Sequence, residues 1–296
     1  MPERKFKAGK AFWILALLVL TGAIAYQFIG FERNLPLLPV PNGNDDFVKA
    51  QNLLVGNPAD FKRGSIEDLR KHLDENAEAL KLVRAGLAKQ CRVPIVFSTN
   101  YLNLRSLGDV KRMARLLEAE GQLAELERRT NDAARIYLEI IRFGKESCRG
   151  GLLMDRLVGI ACESIGVSSL QRIAGALNSK TSRSLSKQLD EVKVRQEAVA
   201  DVVRSEAEWV RRTFPVWQRI PAMIPIGSQA TRMQNDFSKK CHQSELQLAF
   251  LIVDLATHAF ELDRGRHPKI VNELVPDYLD SVPVDPATGK ELAYPK

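Results

Sequence analysis

Histidine and cysteine are scarce, with four of each in 296 residues. That is too little cysteine for a disulfide-built scaffold and too little histidine for the usual metal centres. The chain contains no G-x-S-x-G, no H-E-x-x-H, no Walker loop and no G-x-G-x-x-G. The common ways of positioning a nucleophile, a zinc ion or a phosphate therefore have no local signature. Ser184-Leu185-Ser186-Lys187 satisfies S-x-x-K, but the S-D-N and K-T-G companions are missing, and a serine at a helix start is accounted for by capping. Asp254, His258 and Glu261 share one helix face with no second ligand helix in view, and read as a hydrogen-bonded surface. No catalytic, cofactor-binding or metal-binding residue is assigned. Excess charge is also modest: 43 basic against 36 acidic residues give +7. Part of that sits in Arg4, Lys5, Lys7 and Lys10, outside any folded stripe of the kind that grips nucleic acid, so no nucleic-acid partner is expected.

Formal charge is absent altogether from Ala11 to Phe31, AFWILALLVLTGAIAYQFIGF. A helix rises about 1.5 Å per residue, so this run is long enough to cross a hydrocarbon layer of about 30 Å. Four basic residues precede it, whereas Glu32, Arg33, Asp45 and Asp46 follow. The positive-inside bias then leaves the N-terminus in the cytoplasm and exports the body. A cleaved secretory signal is the competing reading, with Ala23-Ile24-Ala25 as a small-x-small cut site. Continuation of the apolar run through Phe28, Ile29 and Phe31 favours an anchor. Beyond it, Pro36, Pro39 and Pro41 oppose a helix and suit an extended spacer.

The body reads as helices. Ser65-Ile66-Glu67-Asp68 is a capping signature, and Leu69, Leu73, Leu80, Val83 and Leu87 follow at helical spacing, predicting one helix to about Lys89. Further helices are expected over about 104–128, 132–147 and 152–177. A long, exposed helix is expected from Leu185 to Thr213 after the polar break 178–184, and a last one over 229–263. Leu117, Gly121, Ala124, Ala133, Tyr137 and Ile140 fall at the spacing of a tetratricopeptide helical hairpin. With no second copy at that period, an isolated αα-hairpin is the reading. Such a hairpin brings Cys148 back toward the region that Cys91 leads into, which allows a Cys91–Cys148 disulfide in an oxidising compartment. Between Phe214 and Ile226 three prolines interrupt large apolar side chains. Phe214, Trp217, Ile220, Met223 and Ile224 either cover the core or form a partner-contact segment.

The tail carries five prolines in its last 29 residues. Gly265-Arg266-His267-Pro268, then Leu274-Val275-Pro276-Asp277-Tyr278-Leu279, then Pro283-Val284-Asp285-Pro286 close on Leu292 and Tyr294. Over roughly residues 245–296 this arrangement resembles the C-terminal part of the type II secretion pseudopilins. It is also similar to the end of a group of bacterial proteins that join an N-terminal membrane segment to a helical body. The resemblance implies a helix leading into a turn, a short second helix, another turn and a terminal strand. It stops at the N-terminus, where no acidic residue follows Phe12 until Glu32, so pilus assembly is not implied.

The expected fold is mainly α, with a small Pro-rich tail holding a short strand. Its parts are a cytoplasmic basic tail (1–10), a transmembrane helix (11–31), a Pro-rich spacer (32–44), a helical body (45–230), and a long helix with pseudopilin-like tail (231–296). The expected location is the bacterial inner membrane, single-pass, with the bulk of the chain periplasmic. The expected role is protein interaction, as an envelope scaffold or an accessory to secretion or surface assembly, with the membrane as one partner through residues 11–31 and no cofactor. The alternatives are an exported hydrolase whose site is assembled from distant residues, and a divergent pseudopilin-like subunit.

Overall fold

Asn42 opens the folded body. The computed structural model describes residues 36–56, 65–101, 106–215, 229–285 and 288–292. The 11–31 run lies outside them, and among the described residues no helix is long and apolar enough to cross a membrane. Nine α-helices make up the described fold: α1 (Gly43–Asn52), α2 (Ile66–Glu75), α3 (Ala77–Leu87), α4 (Leu107–Leu126), α5 (Thr130–Glu146), α6 (Leu153–Ile173), α7 (Ser179–Val194), α8 (Val199–Thr213) and α9 (Gln229–Arg264). The mainly α expectation holds.

The αα-hairpin forms as α4 and α5. Leu117, Ala124, Ala133, Tyr137 and Ile140 are all buried, and Gly121 makes the close approach feasible. A Cβ there would stand 2.3 Å from the Tyr137 ring, inside any tolerable carbon contact. Helix α6 then crosses α5 equally closely, because a Cβ at Gly144 would meet Glu163 Cγ at 2.7 Å and one at Gly159 would meet Cys148 Sγ at 2.4 Å.

Two expected helices are each divided. The 65–89 helix breaks at Asn76, which is 1% exposed. Its side chain accepts from Val55 N (2.9 Å) and donates to Val55 O (3.1 Å) and His72 O (2.9 Å). Asn76 thus satisfies backbone groups of a loop 21 residues away, and the chain re-enters a helix only at Ala77. The expected 185–213 helix starts earlier, at Ser179 under an Asn178 cap (2.8 Å to Thr181 N), and stops at Val194. Residues 195–198 turn, and α8 follows. Helix α1 is an addition to the sequence reading. Asn42 caps it through Asn44 N (3.1 Å), Asp45 and Asp46 sit in its first turn, and Phe47 and Ala50 enter the core.

One apolar core runs from Phe47 on α1 through the α4–α6 hairpins to Leu248–Phe260 on α9 and Val271, Leu274, Tyr278 and Leu279 of the tail. Residues between Leu248 and Leu279 therefore share the core of the body. Tyr278 clamps it: its hydroxyl donates to Asp263 Oδ2 (3.1 Å), its carbonyl accepts from Ser186 Oγ (2.9 Å), and its ring packs on Phe260 and under the Arg183 guanidinium. Among the described residues, the short strand expected in the tail is reduced to a single antiparallel bridge, Val284 with Glu291. The Asp285 side chain accepts from Thr288 N (3.3 Å) and its carbonyl from Gly289 N (2.8 Å), closing a turn, and across it Asp285 N donates to Lys290 O (2.8 Å) and Leu292 N to Pro283 O (2.9 Å).

Candidate functional site

The turn joining α5 to α6 gathers the polar chemistry of the body. Gly150 takes a positive φ of +74°, and a Cβ there would lie 2.7 Å from Arg92 Cγ, so only glycine fits. Its N–H donates to Glu197 Oε2 (2.8 Å), while Arg149 O accepts from Val93 N (2.8 Å) and Leu153 N donates to Glu206 Oε2 (3.0 Å). Asp155 closes the start of α6, accepting from Leu152 N and from the Tyr101 hydroxyl, both at 2.8 Å. Segments 91–101, 195–198 and α8 are thereby tied to one turn.

Beneath it lies a buried ionic network centred on Glu163, which is 2% exposed. Arg156 Nη1 donates to Glu163 Oε1 (2.5 Å), Lys145 Nζ lies 3.7 Å from Oε2, and Ser244 Oγ of α9 donates to Oε2 (3.3 Å). Lys145 also donates to Gln196 Oε1, and Gln196 Nε2 donates to Glu245 Oε1 (2.6 Å). This explains the break between α7 and α8: the Gln196 amide bridges α5 to α9. Burial pulls the Lys145 ammonium below its ordinary range, and the Glu163 carboxylate opposes that. A cavity of about 10 Å³ touches Lys145, Cys148 and Arg156, room for one water and no substrate. Burial raises the Cys148 thiol, which keeps it protonated and inert. The network is built to hold four segments together.

Outward from the same turn opens a cleft of about 910 Å³ between the 36–39 strip and the body. It presents Lys89, Arg92, Arg142, Arg149 and Arg195 against one carboxylate, Glu146. Arg149 engages Glu146 through two bonds (2.9 and 2.7 Å), and Lys89 pairs with Asp46. Arg92, Arg142 and Arg195 make no ion pair with a described residue. The Asn42 side chain fixes this corner by bonding both Arg92 N (3.0 Å) and Arg92 O (2.8 Å). Guanidinium groups with uncommitted N–H donors suit oxyanions.

No family model, curated protein or solved structure matches this chain. The site therefore stands on its own geometry, and so do the residues singled out from sequence. Cys91 and Cys148 are both buried free thiols. Their segments do run side by side, as the Val93–Arg149 bond shows. The disulfide is nevertheless not formed: Cys91 Sγ donates to Gly86 O (3.4 Å), and Cys148 Sγ donates to Gly144 O (3.2 Å) and packs at Gly159. Of the suggested contact segment, Phe214 is half-buried and stacks edge-on against Trp209 at 5.5 Å. Trp217, Ile220, Met223 and Ile224 lie outside the described residues. Ser184 Oγ accepts from Gln188 Nε2 (2.9 Å), and Lys187 lies 3.5 Å from Asp280, so the two do not meet as a dyad. His258 donates to Leu177 O (3.0 Å) and Glu261 faces His267 (2.5 Å). Among the described residues no cluster of His, Cys, Asp or Glu is arranged to hold a metal.

Sequence reasoning passed over Lys145, Arg156 and Glu163. Their signal was present: Arg156 and Glu163 are seven apart on α6, flanking Gly159 on the face that meets α5. A charge pair on a buried stripe implies a partner across the interface.

Proposed function

We propose that the protein is a membrane-tethered, extracytoplasmic helical body that acts by binding rather than by catalysis. The observation that carries this reading is the uncharged 21-residue run 11–31, which is followed within a dozen residues by a body with its own continuous core. A core that closes on itself needs no bilayer to fold, and the prolines at 36, 39 and 41 set it apart from the apolar run. The polar groups of the S-x-x-K pattern and of the buried network are engaged within the fold. Ser184 and Lys187 are separately paired, and Glu163 is sealed beneath the α5–α6 turn. The exposed chemistry is instead a broad cationic cleft, a recognition surface. In this reading the protein is an envelope scaffold or an accessory to a secretion or surface-assembly system.

The test is topology. Single cysteines introduced at exposed Lys81 and Arg135, on a background with the native cysteines changed to serine or alanine, are labelled in intact spheroplasts by a membrane-impermeant maleimide. Labelling before lysis is the expected result. Labelling only after lysis places the body in the cytoplasm and defeats the proposal.

A further inference from the structure

We infer that the cationic cleft at the α5–α6 turn takes the phosphate of an anionic phospholipid headgroup and docks the body on the membrane that anchors it. This rests on the tethered reading above and deepens it by naming the ligand. Three observations carry it. The first is charge: five cationic side chains line the cleft with one lining carboxylate, Glu146, and Lys89 is paired with Asp46. Glu146 is already engaged by Arg149, while Arg92, Arg142 and Arg195 keep their guanidinium groups clear of any ion pair with a described residue.

The second is place. One wall of the cleft is Pro36, Leu37, Leu38 and Pro39, the strip that follows the apolar run. Five residue steps separate Phe31 from Pro36, and an extended chain covers at most about 3.5 Å per step. The cleft mouth thus stays within roughly 20 Å of the point where the chain leaves the bilayer. The third is the company the cations keep. Leu37 is 91% exposed and Val40 96%, next to a cleft rich in arginine. Exposed apolar side chains beside cations are what an interfacial surface needs, the apolar groups entering the headgroup layer and the cations meeting phosphates. A free phosphate gains nothing from Leu37 and Val40 and would leave most of a 910 Å³ cleft unfilled. A glycerol-phosphate headgroup uses both features.

The experiment takes the full chain in zwitterionic micelles and titrates in short-chain phosphatidylglycerol, short-chain phosphatidylcholine or inorganic phosphate. Hydrogen exchange at residues 88–92 and 142–149 is the readout. Phosphatidylglycerol should protect both segments, and the other two additives should not at matched concentration. The variant Arg92→Gln/Arg142→Gln/Arg195→Gln should bind phosphatidylglycerol roughly 100-fold more weakly. Arg195→Gln alone, at the exposed rim, should lose about fivefold, and it serves if the triple variant fails to fold. The inference is overturned if phosphatidylglycerol gives no protection, or if Arg195→Gln and every folded multiple variant bind as the unaltered chain does. It is also overturned if inorganic phosphate protects equally, which would make a free anion the ligand. Carbonate washing of membranes reads the tether separately. A chain released by the wash defeats the tether, whereas a retained chain without phosphatidylglycerol protection defeats only the headgroup site.

Discussion

Changing Glu163 to glutamine removes one charge and almost no volume, so it isolates what the buried carboxylate contributes. The native network holds Arg156 and Lys145 directly against this carboxylate, with all three side chains at most 5% exposed. Glutamine leaves two buried cations facing a neutral amide. Breaking a buried pair by removing one partner costs about 3–5 kcal/mol, chiefly because the remaining charge is uncompensated. In a domain of this size each kcal/mol moves the midpoint by about 2–4 °C, so Glu163→Gln should lower Tm by about 6–20 °C. The Lys145 ammonium, already below its ordinary range through burial, loses the carboxylate that most opposes that shift, and so falls further. Adding Lys145→Met to Glu163→Gln should therefore recover part of the loss, although Lys145→Met alone destabilises. Thermal unfolding by circular dichroism over the four members of the cycle gives the coupling. A loss below about 1 kcal/mol for Glu163→Gln, typical of an exposed pair, would refute a sealed network.

Other consequences follow from the same packing. Gly121→Ala should destabilise by about 1–3 kcal/mol despite alanine's better helix propensity, because its Cβ meets the Tyr137 ring at 2.3 Å. Urea titration checks this, and an unchanged midpoint would mean that the α4–α5 approach is looser than described. All four thiols are buried and free, with Cys91 and Cys162 pushed up to about 12 and Cys241 to about 11. Labelling should thus be slow in the native protein, and four thiols should react in denaturant without reductant; a count of two would restore a disulfide. His72 is buried, and desolvation holds its pKa below the ordinary histidine value. The unfolded chain then binds a proton that the folded one refuses. This stabilisation is complete above about pH 6.5 and declines as pH falls below it. His72→Gln should flatten that part of the stability profile; an unchanged slope counts against a neutral His72. Asn76→Ala should cost about 1–3 kcal/mol by unpairing both polar groups of Val55, measured by the same urea titration.

Where the sequence could be read, the signal was local and repeated. The 3.6-residue apolar spacing placed the hairpin, α6 and α9 to within a few residues, and the Ser65 capping box is present as read. The two missed breaks have non-local causes. Asn76 leaves the helix to satisfy Val55, and Gln196 leaves it to bridge Lys145 and Glu245. Nothing in either residue's neighbours announces such a partner. Helix α1 was legible in principle, since Asn42 before two aspartates is a start signal, but three nearby prolines dominated that stretch. The cleft was not legible at all. Its cations come from the 89–92 link, from the end of α5 and the turn after it, and from the α7–α8 link, and only the fold brings them to one wall. The thiols show the opposite limit: chain proximity was read correctly, yet which way each Sγ turns depends on the glycines packed against it.

The tether is the claim on which location, role and headgroup docking all depend, and fractionation followed by intact mass addresses it most directly. The account predicts an uncut chain, retained in the membrane pellet after carbonate washing. A soluble product beginning at Tyr26 would contradict it, leaving a freely diffusing exported body in place of an anchored one.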